Sequence, residues 1–285
     1  MTKFRQDVGV LSLDAVQQAA KVPGDHPPVA ILAGGLGTRL SEETAQKPKP
    51  LVEIGGKPVI WHVMKHYDAY GMTEFAIALG YKKEAVVRYF LDLHAHDRNL
   101  TVRTRDGSVS FHDQNTDLDW TIHLVDTGLE TSTGGRIKRL RPYLGGGTFM
   151  LTWCDGISNV NLAELLAFHR AHGKLATMTV VRAPSRFGFV EMGGGDRSVR
   201  RFTEKPEHGD GWINGAFFVL EPAIFDYIAG DETMWEREPL ERLAADGQLV
   251  GFQHSSFWQC MDTLREKTLL EELWCNGKAP WKTWE

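Results

Sequence analysis

Cysteine is scarce: Cys154, Cys260 and Cys275 are the only three in 285 residues, and their spacing forms no framework. That excludes a disulfide-stapled scaffold and suits free thiols in a reducing compartment. A surplus of positive charge is missing too. Against 32 Lys and Arg stand 37 Asp and Glu, a formal net charge of −5, so no global basic field draws in nucleic acid. No uninterrupted apolar run approaches membrane-spanning length, and the start, Met1 to Asp7, lacks an apolar signal segment. The histidines show no paired spacing of the kind that binds zinc. Internal repeats, low-complexity tracts and convincing linkers are absent. The expectation is a soluble cytoplasmic protein that engages neither nucleic acid nor membrane.

What is present is enough apolar material for a packed core, 42% of residues with nine tryptophans, and one conspicuous stretch. Val29-Ala-Ile-Leu-Ala-Gly-Gly-Leu-Gly-Thr-Arg-Leu40 runs an apolar strand into a glycine-rich bend, and Lys47-Pro-Lys-Pro50 follows. Gly34, Gly35 and Gly37 let backbone N–H groups approach phosphate oxygens, Arg39 offers a forked cation and the lysines compact ones. The loop lacks the third glycine and the distant acid of a dinucleotide fingerprint, and the Gly-Lys-Ser/Thr ending of a P-loop. It reads as a holder for a nucleoside triphosphate; the plain alternative is a strand-to-helix turn. Each proline pushes its predecessor into an extended conformation, so Lys47 and Lys49 are expected to be non-helical and to point to a similar side. Lys49 is the candidate for charge building on a phosphate, against the alternative of a solvated lysine pair.

Apolar spacing predicts helices over 59–70, 84–94, 134–144, 162–172, 223–228, 240–245 and 264–274. Strands are expected at 29–32, 75–79, 121–126, 148–153, 176–182 and 212–220, with hairpins over 100–114 and 187–202. Alternating strands and helices imply an α/β fold with a mostly parallel sheet flanked by helices and carrying β-hairpin insertions. Residues 29–285 read as one domain. Residues 1–28 read as an appended arm with a short helix over Val10 to Ala20, lying on the surface or on a neighbouring subunit, or as a frayed terminus.

Asp155 follows a predicted strand, where open α/β sheets bind ligands, and Asp262 precedes the last helix. Two carboxylates from distant segments suit a Mg²⁺ bound mainly by substrate phosphates, although Asp262 could equally be a helix N-cap. Thr133-Gly-Gly-Arg136 opens a basic helix, either to meet a base edge or as an ordinary first turn. Glu204, Lys205 and Asn214 offer an acid, a base and an amide to a polyhydroxylated ligand.

Together these stretches resemble the signature of the sugar-1-phosphate nucleotidyltransferases. Ser41-Glu-Glu-Thr44, Val52-Glu-Ile-Gly-Gly-Lys-Pro58, Val125-Asp-Thr-Gly128, Thr133-Gly-Gly-Arg136, Arg186-Phe-Gly188, Phe202-Thr-Glu-Lys-Pro206 and the ending Gly277-Lys-Ala-Pro-Trp-Lys-Thr-Trp-Glu285 narrow it to the glucose-1-phosphate cytidylyltransferase branch. The resemblance implies a Rossmann-like nucleotidyltransferase fold, CTP as co-substrate, Mg²⁺ as cofactor, and a homo-oligomer, often a hexamer. It implies transfer of a cytidylyl group to glucose 1-phosphate, giving CDP-glucose for deoxysugar and surface-polysaccharide synthesis. It further implies that Leu32, Ala33, Gly34, Gly35, Gly37 and Thr38 hold the nucleotide. Arg39 and Lys49 would stabilise its charge, and Thr133 and Gly134 would help select cytosine. Gly188, Glu204, Lys205 and Asn214 would grip the sugar phosphate, and Asp155 and Asp262 the metal.

The chain departs from that pattern beside both aspartates. Trp153-Cys154 stands where the family has Tyr-Gly, and Cys260 where it has proline. Altered sugar preference or turnover is one reading, and accommodation by neighbouring side chains is the other. If the aspartates converge, the two thiols could approach each other closely enough to pair. Competing functions are the same chemistry on another phosphorylated small molecule, a catalytically silent nucleotide-sugar sensor and, more distantly, a dehydrogenase.

Overall fold

A computed structural model describes residues 26–37, 40–44, 47–96, 99–112, 118–182, 189–192, 199–203 and 211–284. The helix expected over Val10 to Ala20 and the turn expected around Gly193 to Gly195 lie outside these residues. The opening stretch forms β1 (Val29–Leu32) and, past its loop, a single turn α1 (Ser41–Thr44). A small ribbon of β2 (Glu53–Ile54) and β3 (Lys57–Pro58) leads into α2 (Val59–Asp68), β4 (Glu74–Leu79) and α3 (Lys83–His96). The hairpin of β5 (Leu100–Arg103) and β6 (Ser108–Phe111) precedes β7 (Thr121–Asp126), α4 (Thr133–Leu140), β8 (Phe149–Trp153) and β9 (Gly156–Ser158). Then come α5 (Leu162–His172), β10 (Ala176–Val181), the paired β11 (Phe189–Met192) and β12 (Val199–Thr203), and β13 (Ile213–Leu220). The chain closes with α6 (Glu238–Ala245), β14 (Leu249–His254), β15 (Trp258–Cys260) and α7 (Leu264–Cys275).

Seven strands form the central sheet in the order β14-β10-β13-β8-β1-β4-β7. All neighbours are parallel except β13, which runs antiparallel to both β8 and β10. The sheet is therefore mixed and mostly parallel, as expected. Its two faces bury alternate residues of the central strands, which is the period-2 geometry of a pleated strand. Val29, Ile31, Phe75, Ile77 and Phe217 pack on one face with α2, α5 and α7. Ala30, Leu32, Ala76, Ala78 and Phe218 pack on the other with α4 and α6. Runs that are apolar at every position, such as Val29–Leu32, follow from burial on both sides.

Local departures from the expected elements have local causes. Lys49–Leu51 is a 3₁₀ turn, not an extended segment, because Pro50 falls in the first turn, where a missing N–H costs nothing. The helix expected over 134–144 stops at Leu140 and tightens into a 3₁₀ turn, Arg141–Tyr143, that accommodates Pro142. Pro222–Tyr227 is likewise 3₁₀. Strand β14 was not foreseen, since its residues alternate only weakly.

Of two buried histidines on α2, His62 packs against the C-terminal tryptophans and His66 against Tyr67, Tyr70 and Phe217. His62 sits in contact with Trp274, Trp281 and Trp284, and Trp281 Nε1 donates to its Nδ1 at 3.4 Å while its Nε2 lies 2.8 Å from the Ile54 carbonyl. That pairing requires the neutral Nε2–H tautomer. Burial pushes the pKa of His62 and of His66 down from 6.5 to about 4. The unfolded chain therefore takes up protons between about pH 6.5 and 4 that the folded chain refuses, so stability is full above that window and falls as pH drops through it. At pH 5 the loss should be roughly 1–2 kcal/mol per histidine. Thermal unfolding followed by circular dichroism should accordingly give a lower Tm at pH 5 than at pH 7.5, and a flat Tm across that range would contradict this account.

Candidate active site

A cleft of about 350 Å³ opens at the C-terminal ends of β1 and β8. Its size falls within the range of small-molecule sites. Leu32, Ala33, Gly34, Gly35 and Gly37 line it from the first loop, Lys49 and Pro50 from the 3₁₀ turn, and Thr131 to Thr133 with Arg136 from the start of α4. Trp153, Cys154, Asp155, Asp262 and Met234 complete the wall.

The two aspartates meet because of a small ribbon. The chain leaves β8 through Cys154 and Asp155 and turns at once into β9, which pairs antiparallel with β15 in the register Gly156 to Cys260. Met261 N–H donates to the Asp155 carbonyl at 3.0 Å and extends that ladder by a residue. Asp262 is thereby brought beside Asp155. The N-cap of α7 is Thr263, not Asp262, and a capping box joins Thr263 to Glu266. The Glu266 carboxylate also accepts from Asp262 N–H at 2.8 Å, so the helix start holds the Asp262 backbone.

Lys49 Nζ donates to Asp155 Oδ2 and, at 2.6 Å, to Asp262 Oδ1. Burial alone would lower the lysine pKa, but the two carboxylates outweigh it and hold the pKa above the ordinary lysine value. The ammonium is charged at any working pH. Lys47, by contrast, turns to Glu53 at 2.8 Å, so the two lysines do not share a side as expected. One ammonium against two carboxylates leaves a formal charge of −1 on the group. Converging hard oxygens with residual negative charge fit Mg²⁺ bound by one or two carboxylates and completed by substrate phosphate and water. Among the described residues no group of three or more His, Cys, Asp or Glu is placed to hold a metal ion.

Arg136 is the residue that sequence reasoning undervalued. It is buried, and its Nη1 donates to the Leu79 carbonyl at 3.1 Å, Thr127 Oγ1 at 2.7 Å and the Gly128 carbonyl at 2.8 Å, with Nη2 on the Leu129 carbonyl at 3.1 Å. Each of these acceptors is neutral. Burial, with Arg139 acting in the same direction, pulls the guanidinium pKa below its ordinary value. The guanidinium lies directly under the glycine loop: a Cβ on Gly34 would stand 2.2 Å from Nη1. That contact, more than phosphate approach, dictates glycine at 34. Gly37 has φ +65°, and a Cβ there would stand 3.0 Å from Thr44 Cγ2 and 3.2 Å from Lys49 Cβ.

Of the other expected site residues, Gly134 lies behind the cleft wall, its N–H donating to the Thr233 carbonyl at 2.9 Å. Asn214 Oδ1 accepts from Ala216 N–H at 2.8 Å near the start of β13. Thr38, Arg39, Gly188, Glu204 and Lys205 lie outside the described residues. Trp153 packs on Phe218 at 5.6 Å. Neither flanking thiol forms a disulfide: Cys154 is buried, its pKa raised by burial and Asp155, and the Cys260 thiol donates to Glu266 Oε1 at 3.9 Å.

A family model for nucleotidyl transferases matches residues 29–258. The chain belongs to the nucleotidyl transferase family. It is 48% identical to the glucose-1-phosphate cytidylyltransferase of Salmonella typhimurium, over 90% of this chain and 98% of that one. To a probable glucose-1-phosphate cytidylyltransferase of Bacillus subtilis it is 43% identical, over 89% and 98%. Among solved structures, HddC from Yersinia pseudotuberculosis superposes with a TM-score of 0.61 at 23% identity, covering 87% of this chain and 99% of that one. This last likeness supports the fold.

Two neighbouring glycines give a paired prediction. Gly34→Ala must displace the Arg136 guanidinium and should cost about 1–3 kcal/mol of stability, read as a lower Tm. A Cβ at Gly35 would meet nothing within 4 Å, so Gly35→Ala should leave Tm unchanged while weakening nucleotide binding in a calorimetric titration. Equal Tm losses at both positions would contradict the assignment.

Proposed function

We propose that this protein transfers the cytidylyl group of CTP to α-D-glucose 1-phosphate, releasing pyrophosphate and forming CDP-glucose. The observation that carries the reading is the meeting of Lys49, Asp155 and Asp262 beside the glycine loop, in a chain with near full-length similarity to glucose-1-phosphate cytidylyltransferases.

A phosphate oxygen of glucose 1-phosphate attacks the α-phosphorus of CTP, and the bond to the pyrophosphate oxygen breaks opposite it. The nucleophile is already an anion, so no side chain has to remove a proton. Catalysis then rests on alignment of two polyanions and on neutralising the charge that builds between them. The glycine loop supplies backbone donors to the triphosphate, and Lys49, with Arg39, supplies positive charge. Asp155 and Asp262 would hold Mg²⁺, which supplies Lewis-acid charge to the phosphate oxygens. Glu204, Lys205, Asn214 and Gly188 would grip the sugar phosphate. Thr131 and Arg136 join the nucleotide side of the cleft on the strength of their place in its wall. Family likeness further favours a cytoplasmic homo-oligomer, a hexamer by resemblance, and the family match begins at residue 29. No helix among the described residues is long and apolar enough to cross a membrane.

Pyrophosphate release should require CTP, glucose 1-phosphate and Mg²⁺ together, and a chelator should abolish it. Release with other sugar phosphates but none with glucose 1-phosphate would replace the acceptor named here. Lys49→Ala should lower kcat about 10²–10³-fold, the scale of losing one preorganised charge at a reaction centre. Near-normal turnover in that variant would remove Lys49 from the mechanism.

A further inference from the structure

The segment Gly230 to Glu236 is a clamp on the start of α4. Its Asp231 carbonyl accepts from Ser132 N–H at 2.8 Å and its Thr233 carbonyl from Gly134 N–H at 2.9 Å. Thr133 Oγ1 accepts from Trp235 N–H at 2.9 Å and donates to Glu236 Oε2 at 2.5 Å. Arg139 holds the Asp231 carboxylate with Nε at 3.0 Å and Nη2 at 2.5 Å. The backbones are in direct contact: a Cβ on Gly134 would stand 2.7 Å from the Thr233 carbonyl oxygen, and one on Gly135 2.6 Å from Asp231 Cα. Trp235 is fully buried against Phe218. Both neighbours of Met234 are thus pinned, yet Met234 itself is 44% exposed and faces the cleft. An apolar side chain held open on a fixed backbone inside a binding cleft is a wall awaiting a ligand surface.

Which part of the ligand it meets follows from the sheet. Asp262 and the turn after Asp155 belong to the face that carries α2 and α7, where Met261 and Ile157 are buried. Asn214 extends on β13, on the far side of β8 from β1. Thr131 to Thr133 and the clamp belong to the opposite face, with Ile137 and Trp235. A nucleotide whose phosphates lie with Lys49 and the aspartates therefore directs its base toward α4 and Met234. The wall there is a thioether and the Trp153 indole, with Thr131 and Ser132 beside them, while the Thr133 hydroxyl is engaged by the clamp. Apolar surfaces suit the faces of a planar ring and hydroxyls suit its polar edge.

We propose that Met234 is a specificity-determining residue that closes the base subsite to the size of a single-ring pyrimidine and turns away the two-ring purines. The proposal rests on the nucleotidyl-transfer reading above. It does not depend on which sugar phosphate accepts. Exclusion works by occupied volume, since a flexible methionine fills the space that a second ring would take.

The test compares wild type with Met234→Ala and Met234→Leu, using CTP and GTP, by pyrophosphate release with glucose 1-phosphate and by calorimetric binding. Because Met234 is half exposed, neither variant should change Tm. Met234→Ala should raise KM and the dissociation constant for CTP about tenfold and reduce the CTP-to-GTP preference in kcat/KM by at least about tenfold, the scale of hydrophobic-pocket discrimination. Its kcat with CTP should stay near wild type. Met234→Leu, of similar volume, should restore the preference. An unchanged preference in Met234→Ala, or a loss that Met234→Leu shares, would overturn the proposal. Wild type that binds CTP without releasing pyrophosphate would instead refute the proposed reaction, and the binding preference would still decide the role of Met234.

Discussion

One lysine faces two carboxylates, and the surrounding structure serves that arrangement. Lys49 comes from a 3₁₀ turn that a proline permits, Asp155 from the end of a central strand, and Asp262 from just before the last helix. Bringing like charges together in a partly buried place is costly unless a cation lies between them. The ammonium meets that need while leaving net negative charge, which is the condition for attracting a divalent cation that arrives with phosphates. The ribbon of β9 and β15 and the capping box of α7 then fix the backbone on both sides of Asp262. Small, polar and irregular pieces, not the central sheet, set the geometry of the charged group.

A second buried cation works differently. Arg136 has neutral oxygens around it, and so it props the glycine loop from beneath without neutralising a carboxylate. The two cations divide the cleft. Lys49 lies with the carboxylates on one side of the sheet, while Arg136 and the clamped start of α4 lie on the other. A nucleotide, with an anionic end and a planar end, matches such a two-sided cleft. The sheet itself contributes the separation, because alternate residues of β1 and β4 face opposite cores.

Much of this was legible in the sequence because it depended on short-range patterns. The strand Thr121–Asp126 and the helix Leu162–His172 lie where periodicity and a terminating glycine placed them. The lysine and the aspartates were legible as residue types at strand and helix ends, and family motifs joined them. Three features were not legible. Ribbon β9–β15 has strands of three residues, too short to show alternation. Met234 sits in a turn with no motif around it, and its role comes from hydrogen bonds made by its neighbours. The placement of Arg136 under Gly34 depends on α4 packing against β1 and β4, a tertiary fact that no local spacing encodes.

The residues in which this chain departs from its family pattern acquire physical meaning in that light. Cys154 adds a side chain where the pattern has glycine, but it is buried, a member of the same apolar cluster as Met261 and Ile157 at the edge of the cleft, so its volume is absorbed by packing. Cys260 replaces a proline on β15, opposite Gly156. Proline fixes its own φ and has no N–H, so it stiffens a short strand by itself. The cysteine lacks that restraint, and its thiol reaches Glu266, the same carboxylate that holds Asp262 N–H. That contact ties the Cys260 side chain to the group that positions the Asp262 backbone. Both substitutions leave the Asp155 and Asp262 carboxylates converging on Lys49, so they bear on the firmness of the charged group and leave its composition unchanged.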